Sequence, residues 1–222
     1  MKPNIFQRII IKIDSSILRI MDEATDKKIC GQSLVKYVQS VYRDDAKGVG
    51  MTGSQSTHYI VLKRIFSHIT LTEQDNFLDI GCGKGRVLAY LIKAHAPCNL
   101  NGIEINEIAY NVAQEWTKKY DQATVMLGDA FKLDYNPYTV LFMGRPFLPV
   151  TFLQFLEAFE AGLNHPITLI YWVDQQSGFL LNGRPGWKKK YGEKLDYIKG
   201  LKISGTPQSY SIWTYDPSLR KK

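Results

Sequence analysis

The chain is poor in cysteine, and nothing organises the cysteine it has. Cys30, Cys82 and Cys98 are odd in number and far apart. This excludes a disulfide framework and every common zinc spacing, and it points to a reducing compartment. Four histidines are scattered and form no HExxH pair, so a zinc-protease centre is excluded. No apolar run reaches the roughly 18 residues of a membrane helix, and no signal-peptide pattern is present, so a soluble cytoplasmic protein without a membrane span is expected. Internal repeats and low-complexity tracts are absent. So is a P-loop, because no Gly-Lys-Ser/Thr occurs at the required distance from a glycine.

What is present suits one globular unit. The chain has 222 residues, 45% hydrophobic and 22% charged, enough for one full core with an N-terminal extension. The net charge of +7 is uneven: residues 182–222 hold ten Lys/Arg against three acids, and the rest balances at eighteen against eighteen. A solvated basic face and a lysine tail are the expected reading. An acidic substrate, nucleic acid or a membrane surface are the partners such a charge would otherwise serve.

The centre of the pattern is Phe77 to Leu91, FLDIGCGKGRVLAYL. A short apolar strand (Phe77, Leu78, Ile80) runs into a glycine-dense turn and then a helix with Val87, Leu88, Leu91 and Ile92 at helical spacing. Gly81, Gly83 and Gly85 let the backbone pass close under a ligand and leave helix N–H groups facing it. The dinucleotide fingerprint wants a third glycine where Arg86 stands, so a nicotinamide ligand is disfavoured.

Around this turn the chain alternates strands and helices. Strands are predicted at Leu100–Ile105, Thr124–Leu127, Thr139–Met143 and Ile167–Val173. Helices are predicted at Thr57–His68, Glu107–Tyr120 (with Ile108, Val112 and Trp116 on one face) and Thr151–Leu163. The end reads as antiparallel, Lys194–Ile203 and Ser209–Tyr215. This is an α/β, Rossmann-like seven-stranded, mostly parallel sheet with an antiparallel C-terminal hairpin and helices on both faces. An N-terminal helical extension is assigned to residues 1–56 and the ligand-binding domain to 57–222. In the extension Ile5, Ile9, Ile13, Ile17 and Met21 recur every four residues beside Phe6, Ile10 and Leu18. They predict an amphipathic helix that could lie on a membrane surface or pack on the domain or a second subunit; packing is the favoured reading, since its charge is mixed and only weakly basic. A second short helix is predicted over 31–41, then a loop over 43–56.

Three acids end three successive strands. Asp79 precedes the glycines, Glu104 can accept from both hydroxyls of a ribose, and Asp129, in Leu127-Gly128-Asp129-Ala130, can accept from an exocyclic amine. Together they point to an adenosyl ligand.

The motif Asp79-Ile80-Gly81-Cys82-Gly83-Lys84-Gly85-Arg86 resembles motif I of the class I methyltransferases that use S-adenosylmethionine, and of small bacterial members in particular. The upstream Ser54-Gln55-Ser56-Thr57-His58-Tyr59 is similar to a Thr/Ser-x-Tyr segment in the same proteins. The resemblance implies S-adenosylmethionine as methyl donor. It also implies that Asp79, Gly81, Cys82, Gly83 and Gly85 hold the methionine part, Glu104 the ribose, and Asp129 with Ala130 the adenine; Thr57 and Tyr59 are candidates for the methionine carboxylate. On the acceptor side the chain departs from the family's Asn-Pro-Phe: it has Gly144-Arg145-Pro146-Phe147. Arg145 cannot accept from an amine, but it can bind a carboxylate or phosphate. This favours an acidic or hydroxyl-bearing acceptor, with Phe147 as an apolar wall. Tyr135, Asp134, His58 and His165 are the candidate bases. Rival readings are an RNA or DNA methyltransferase, motivated by the basic end and Trp187, Tyr191 and Tyr197, and a non-catalytic S-adenosylmethionine-binding protein.

Overall fold

The computed structural model describes residues 5–220, with side chains from Arg8 onward. Helix α1 spans Ile5–Cys30, α2 Tyr59–Phe66, α3 Arg86–Lys93, α4 Glu107–Thr117 and α5 Pro149–Gly162. Seven strands form the main sheet: β1 Asn76–Ile80, β2 Asn99–Glu104, β3 Ala123–Leu127, β4 Val140–Met143, β5 Ile167–Trp172, β6 Trp187–Leu195 and β7 Gln208–Tyr215. Their order is β3-β2-β1-β4-β5-β7-β6, with the first five parallel and β7 antiparallel to both β5 and β6. Strand order reverses between β1 and β4, which is where an open α/β sheet binds ligand, at the carboxyl ends of its strands.

The strands read as continuous apolar runs because helices cover both faces. Along β1 and β4, Phe77 and Phe142 join one core with Leu62, Ile65, Leu88 and Trp116, while Leu78, Ile80, Leu141 and Met143 join a second core with Phe152, Phe155 and Phe159 of α5. Predicted strand ends in β2 to β5 differ from the observed ones by one residue. Val173 leaves β5 because it turns to φ 60°. Helix α5 begins two residues early, on Pro149, whose missing N–H is harmless in a first turn. In α4 the buried face is Ala109, Ala113 and Trp116, while Ile108 is 68% exposed, so the predicted apolar face is only partly used.

Three predicted elements differ. Residues 31–41 form no helix. Gly31 (φ 76°) ends α1, the Leu34 N–H donates to Asp26, and Val38 pairs with Ser54 in a two-way bridge. Those backbone groups are therefore not available to a helix. The predicted loop 43–56 contains a two-residue hairpin, Arg43–Asp44 against Val49–Gly50, and Met51 bridges Phe147. At the C-terminal end, β6 starts at Trp187, ahead of the predicted Lys194, and residues 197–202 make a small hairpin of their own.

The greatest difference lies in α1. The predicted packing stripe faces outward: Ile9, Ile13, Ile17 and Met21 are 39–54% exposed. The buried row is offset by one residue and reads Asp14, Leu18, Asp22, Asp26 and Cys30. Ile5 and Phe6 belong to the predicted stripe, but their side chains lie outside the described residues, as do Lys221 and Lys222 of the predicted tail.

Candidate active site

The turn from β1 to α3 requires its glycines. Gly81, Gly83 and Gly85 have φ of 71°, 56° and 84°. A Cβ on Gly81 would lie 2.7 Å from Pro146 Cβ, one on Gly83 would strike Ser54 Oγ, and one on Gly85 would lie 2.8 Å from Trp116 Cζ2. Conformation and space both exclude a side chain here. The turn is pinned from β2 and α4. The N–H groups of Gly81 and Cys82 donate to Ile103 O at 2.9 and 3.0 Å, and Trp116 Nε1 donates to Lys84 O at 2.9 Å.

A cleft opens over this turn. Asp79, Gly81, Cys82 and Gly83 line it, with Glu104 at the end of β2, Asp129 and Ala130 after β3, and Pro146 and Phe147 after β4. Its remaining wall comes from residues 39–41 and 51–57, so the expected domain boundary at 56/57 falls inside a segment that lines the cleft.

The cleft is acidic at depth. Glu104 is buried; its carboxylate accepts from the Gly83 N–H at 2.7 Å and the Asn106 N–H at 2.8 Å. Burial raises its pKa, while those N–H donors pull the other way. Asp79 is 2% exposed, and no donor among the described residues reaches its carboxylate. Burial, and then the charge of Glu104, hold it well above the usual carboxylate range. Asp129 caps the short turn at 130–132 by accepting from the Phe131 N–H at 3.0 Å. Arg86, the one cation on the wall among the described residues, is already paired: Nη2 meets Asp26 at 2.6 Å and Nη1 meets Asp22 at 3.0 Å. A buried carboxylate without a donor, beside a bare backbone turn, suits a ligand that brings cations and hydroxyl or amine donors. A pyrophosphate would be repelled.

Asp22 and Asp26 also organise the wall. Asp22 accepts from the Tyr59 N–H at 3.1 Å and meets His58 Nδ1 at 2.7 Å; Asp26 accepts from the Tyr59 hydroxyl at 3.0 Å. Tyr59 therefore stands behind the cleft, its hydroxyl occupied by Asp26, whereas Thr57 lines the cleft. Cys82 lines it as well, and burial, then Asp79 and Glu104, push its thiol up, which favours the protonated form. Tyr135 lies outside the cleft. It is buried against Phe155 and Phe159 and donates to Ala130 O at 2.6 Å. His165 sits in the loop before β5, held between Pro166 O and Asn136 O, and Asp134 caps the exposed turn at Asn136.

A second cavity adjoins the first across residues 52–57. His58, Arg145, Trp172, Gln176 and Gln208 are among the residues that line it. Arg145 is half-buried and bonds Gln176; no carboxylate among the described residues pairs with it. Arg145 (φ 52°) and Val173 (φ 60°) both hold left-handed backbone just past the ends of the adjacent strands β4 and β5, and both line this cavity. Such strain in non-glycine residues concentrates at functional sites. The sequence reading missed the part played by Asp22 and Asp26. Their signal was present as two acids four apart in the row that also holds Leu18 and Cys30.

A family model described as a methyltransferase domain matches residues 77–157. No curated protein matches the chain. Among solved structures, a methyltransferase from Pyrococcus furiosus is 16% identical with a TM-score of 0.57, covering 90% of this chain and 98% of its own. An RNA methyltransferase from Salinibacter ruber, in complex with S-adenosyl-L-homocysteine, is 17% identical with a TM-score of 0.52, covering 75% and 95%. Coclaurine N-methyltransferase, bound to N-methylheliamine and S-adenosylhomocysteine, is 13% identical with a TM-score of 0.55, covering 96% and 89%. These are likenesses of fold. The matched segment contains the glycine turn, Asp79, Glu104, Asp129 and Arg145, and the sheet around it has the strand order described above. The chain carries a methyltransferase domain, matched over residues 77–157 and built on the fold that these structures share.

Proposed function

We propose that the donor lies in the cleft over the glycine turn and that the acceptor, in the adjoining cavity, is a small molecule bearing a hydroxyl and an acidic group. Arg145 carries this reading: it is a half-buried guanidinium with no carboxylate partner among the described residues, on the wall of a cavity that shares Thr52, Gly53, Gln55, Ser56 and Thr57 with the cleft. Its planar fork suits a carboxylate or phosphate.

In this reading Glu104 receives the ribose hydroxyls, Asp129 the adenine amine, and Asp79 with the bare glycine turn the methionine portion; Thr57 stands beside it. When bound, the donor supplies a methyl carbon already activated by a sulfonium. The protein's share is to align the acceptor and exclude water. Phe147, buried and facing the cleft, supplies an apolar wall. A hydroxyl acceptor must lose its proton, and His58 is the base on offer. Asp22 holds Nδ1 at 2.7 Å, which fixes the ring and leaves Nε2 to take that proton. Tyr59 and Tyr135 have no ligand role here; both support the wall from behind.

The test is S-adenosylhomocysteine formation over a panel of hydroxy acids, phosphorylated alcohols and neutral amines. Turnover on the acidic hydroxyl compounds is expected. Arg145→Ala should raise KM about 10- to 100-fold through the lost charged contact. His58→Gln should lower kcat by about 100-fold with donor affinity kept. Faster turnover on neutral amines, indifferent to Arg145→Ala, would contradict the proposal. A nucleic-acid acceptor draws on Lys188, Lys189 and Lys190, which are all exposed. They lie on β6, the outermost strand on the far side of the sheet from β3, where lysines serve to block edge pairing. RNA binding that weakens steeply with salt would favour that reading instead.

A further inference from the structure

The outward face of α1 is unlike the face its sequence suggests. By composition the helix is nearly balanced, with Arg8, Lys12, Arg19, Lys27 and Lys28 against Asp14, Asp22, Glu23 and Asp26. The fold removes three of the four acids from the surface. Asp14 is 8% exposed and accepts from the Lys202 N–H at 2.9 Å, while Asp22 and Asp26 are held by Arg86. What remains outside is the row Ile9, Ile13, Ile17, Ile20 and Met21, each 39–66% exposed. At about 100° per residue, Lys12 and Arg19 border that row on the flank opposite the buried one. Lys27 and Lys28 close its C-terminal end. Glu23 is the one acid of α1 not buried, and it pairs with Arg19 at 3.9 Å.

The hairpin at 197–202 lies alongside α1. It packs on α1 through the Lys202–Asp14 bond and presents Tyr197, which is 53% exposed, and Lys199 beside the helix. Lys202 lies 4.6 Å over the Tyr197 ring and pairs with Asp196 at 2.6 Å, so its charge is answered locally and Lys199 is the hairpin's outward cation. An apolar ridge flanked by lysines, with an amphipathic aromatic next to it, is the pattern of a helix that lies in a lipid headgroup layer.

We propose that α1 with the 197–202 hairpin is a docking surface for an anionic membrane face, with the isoleucines in the acyl boundary and the lysines at the headgroups. Charge decides against a second copy as the occupant. In a symmetric pair each chain would bring the same cationic flank; Asp14, Asp22 and Asp26 are buried in its own domain, and Glu23 and Asp196 are already paired with Arg19 and Lys202. Anionic lipid supplies the missing negative charge, at roughly 1 kcal/mol for each Lys or Arg near the surface. This inference stands apart from the choice of acceptor.

The experiment is co-sedimentation of the full chain with phosphatidylcholine vesicles, with and without phosphatidylglycerol, at low and high salt. Binding is expected only to the vesicles containing phosphatidylglycerol, with release at high salt. Ile13→Glu with Ile17→Glu should weaken it about tenfold or more, and Lys27→Gln with Lys28→Gln should weaken it less. Both positions of the isoleucine variant are exposed, so its S-adenosylhomocysteine affinity by calorimetry should be unchanged, which separates lost docking from lost folding. Protein that stays in the supernatant with either vesicle overturns the proposal, as does equal binding to neutral vesicles. A dimer in solution that Ile13→Glu with Ile17→Glu converts to monomer, without vesicle binding, overturns it in favour of self-association.

Discussion

Glu104 and Asp79 set the chemistry of the cleft through the same cause, burial. Each has its pKa raised in the folded protein, so the native state keeps protons that the unfolded chain has already released. The stability linked to those protons is present at and below the ordinary carboxylate range and is lost as pH rises through the raised values. Ligand binding runs the other way. A cation and hydroxyl donors favour the ionised carboxylates, so S-adenosylmethionine should bind more tightly as pH climbs over that interval and should release protons on binding. Calorimetry in buffers of different ionisation heat reads this directly; heats independent of buffer would contradict it. Glu104→Gln keeps the size of the side chain and removes its charge, and should weaken donor binding about 10-fold or more by titration, in line with about 1.5–3 kcal/mol for a charged hydrogen bond. Gly83→Ala meets both a φ of 56° and Ser54. It should cost about 1–2 kcal/mol in thermal or denaturant unfolding and should also impair the cleft. These residues were legible in the sequence as types at intervals, namely glycine where Cβ cannot fit and an acid after each strand. The hydroxyls of Tyr59 and Tyr135 were not, because a tyrosine near a cleft reads the same whether its hydroxyl faces a ligand or a neighbouring carboxylate or carbonyl.

At the scale of elements, the decisive contact joins α1 to the start of α3. Arg86 is 3% exposed and sits between Asp22 and Asp26, whose carboxylates also hold His58 and Tyr59. Removing one partner leaves a charge buried and unanswered. Asp26→Asn should therefore destabilise the fold by about 3–5 kcal/mol, read in urea unfolding. An Arg86→Met, Asp22→Asn, Asp26→Asn triple variant should lose less than the summed single changes. Additive losses would mean that the network is not a coupled unit. This contact explains why α1 was misread. Periodicity locates an apolar stripe but not the surface that covers it, and here the row one residue along is buried because Arg86 draws it in. The absent helix at 31–41 has a similar cause: Asp26 and Ser54 take the N–H groups that a helix would have used.

For the whole molecule, the sheet was readable because each βα unit repeats one pattern, an apolar run, a turn and an amphipathic helix, and the crossovers then follow from chain connectivity. The C-terminal antiparallel strands were less so, since Lys188, Lys189 and Lys190 interrupt the apolar pattern of β6 while belonging to an exposed edge. The second cavity was not readable at all, because it is assembled from segments as distant as Tyr37 and Gln208. All of these parts converge on one physical claim, that an acidic, glycine-floored cleft at the switch point of the sheet holds an adenosyl sulfonium. Titration calorimetry of the purified protein with S-adenosylmethionine and with S-adenosylhomocysteine tests it most directly. Saturable one-site heat from both ligands, weakened in Glu104→Gln and absent with a nicotinamide dinucleotide, is the predicted result. No heat from either adenosyl ligand, or stronger binding of the dinucleotide, would contradict it.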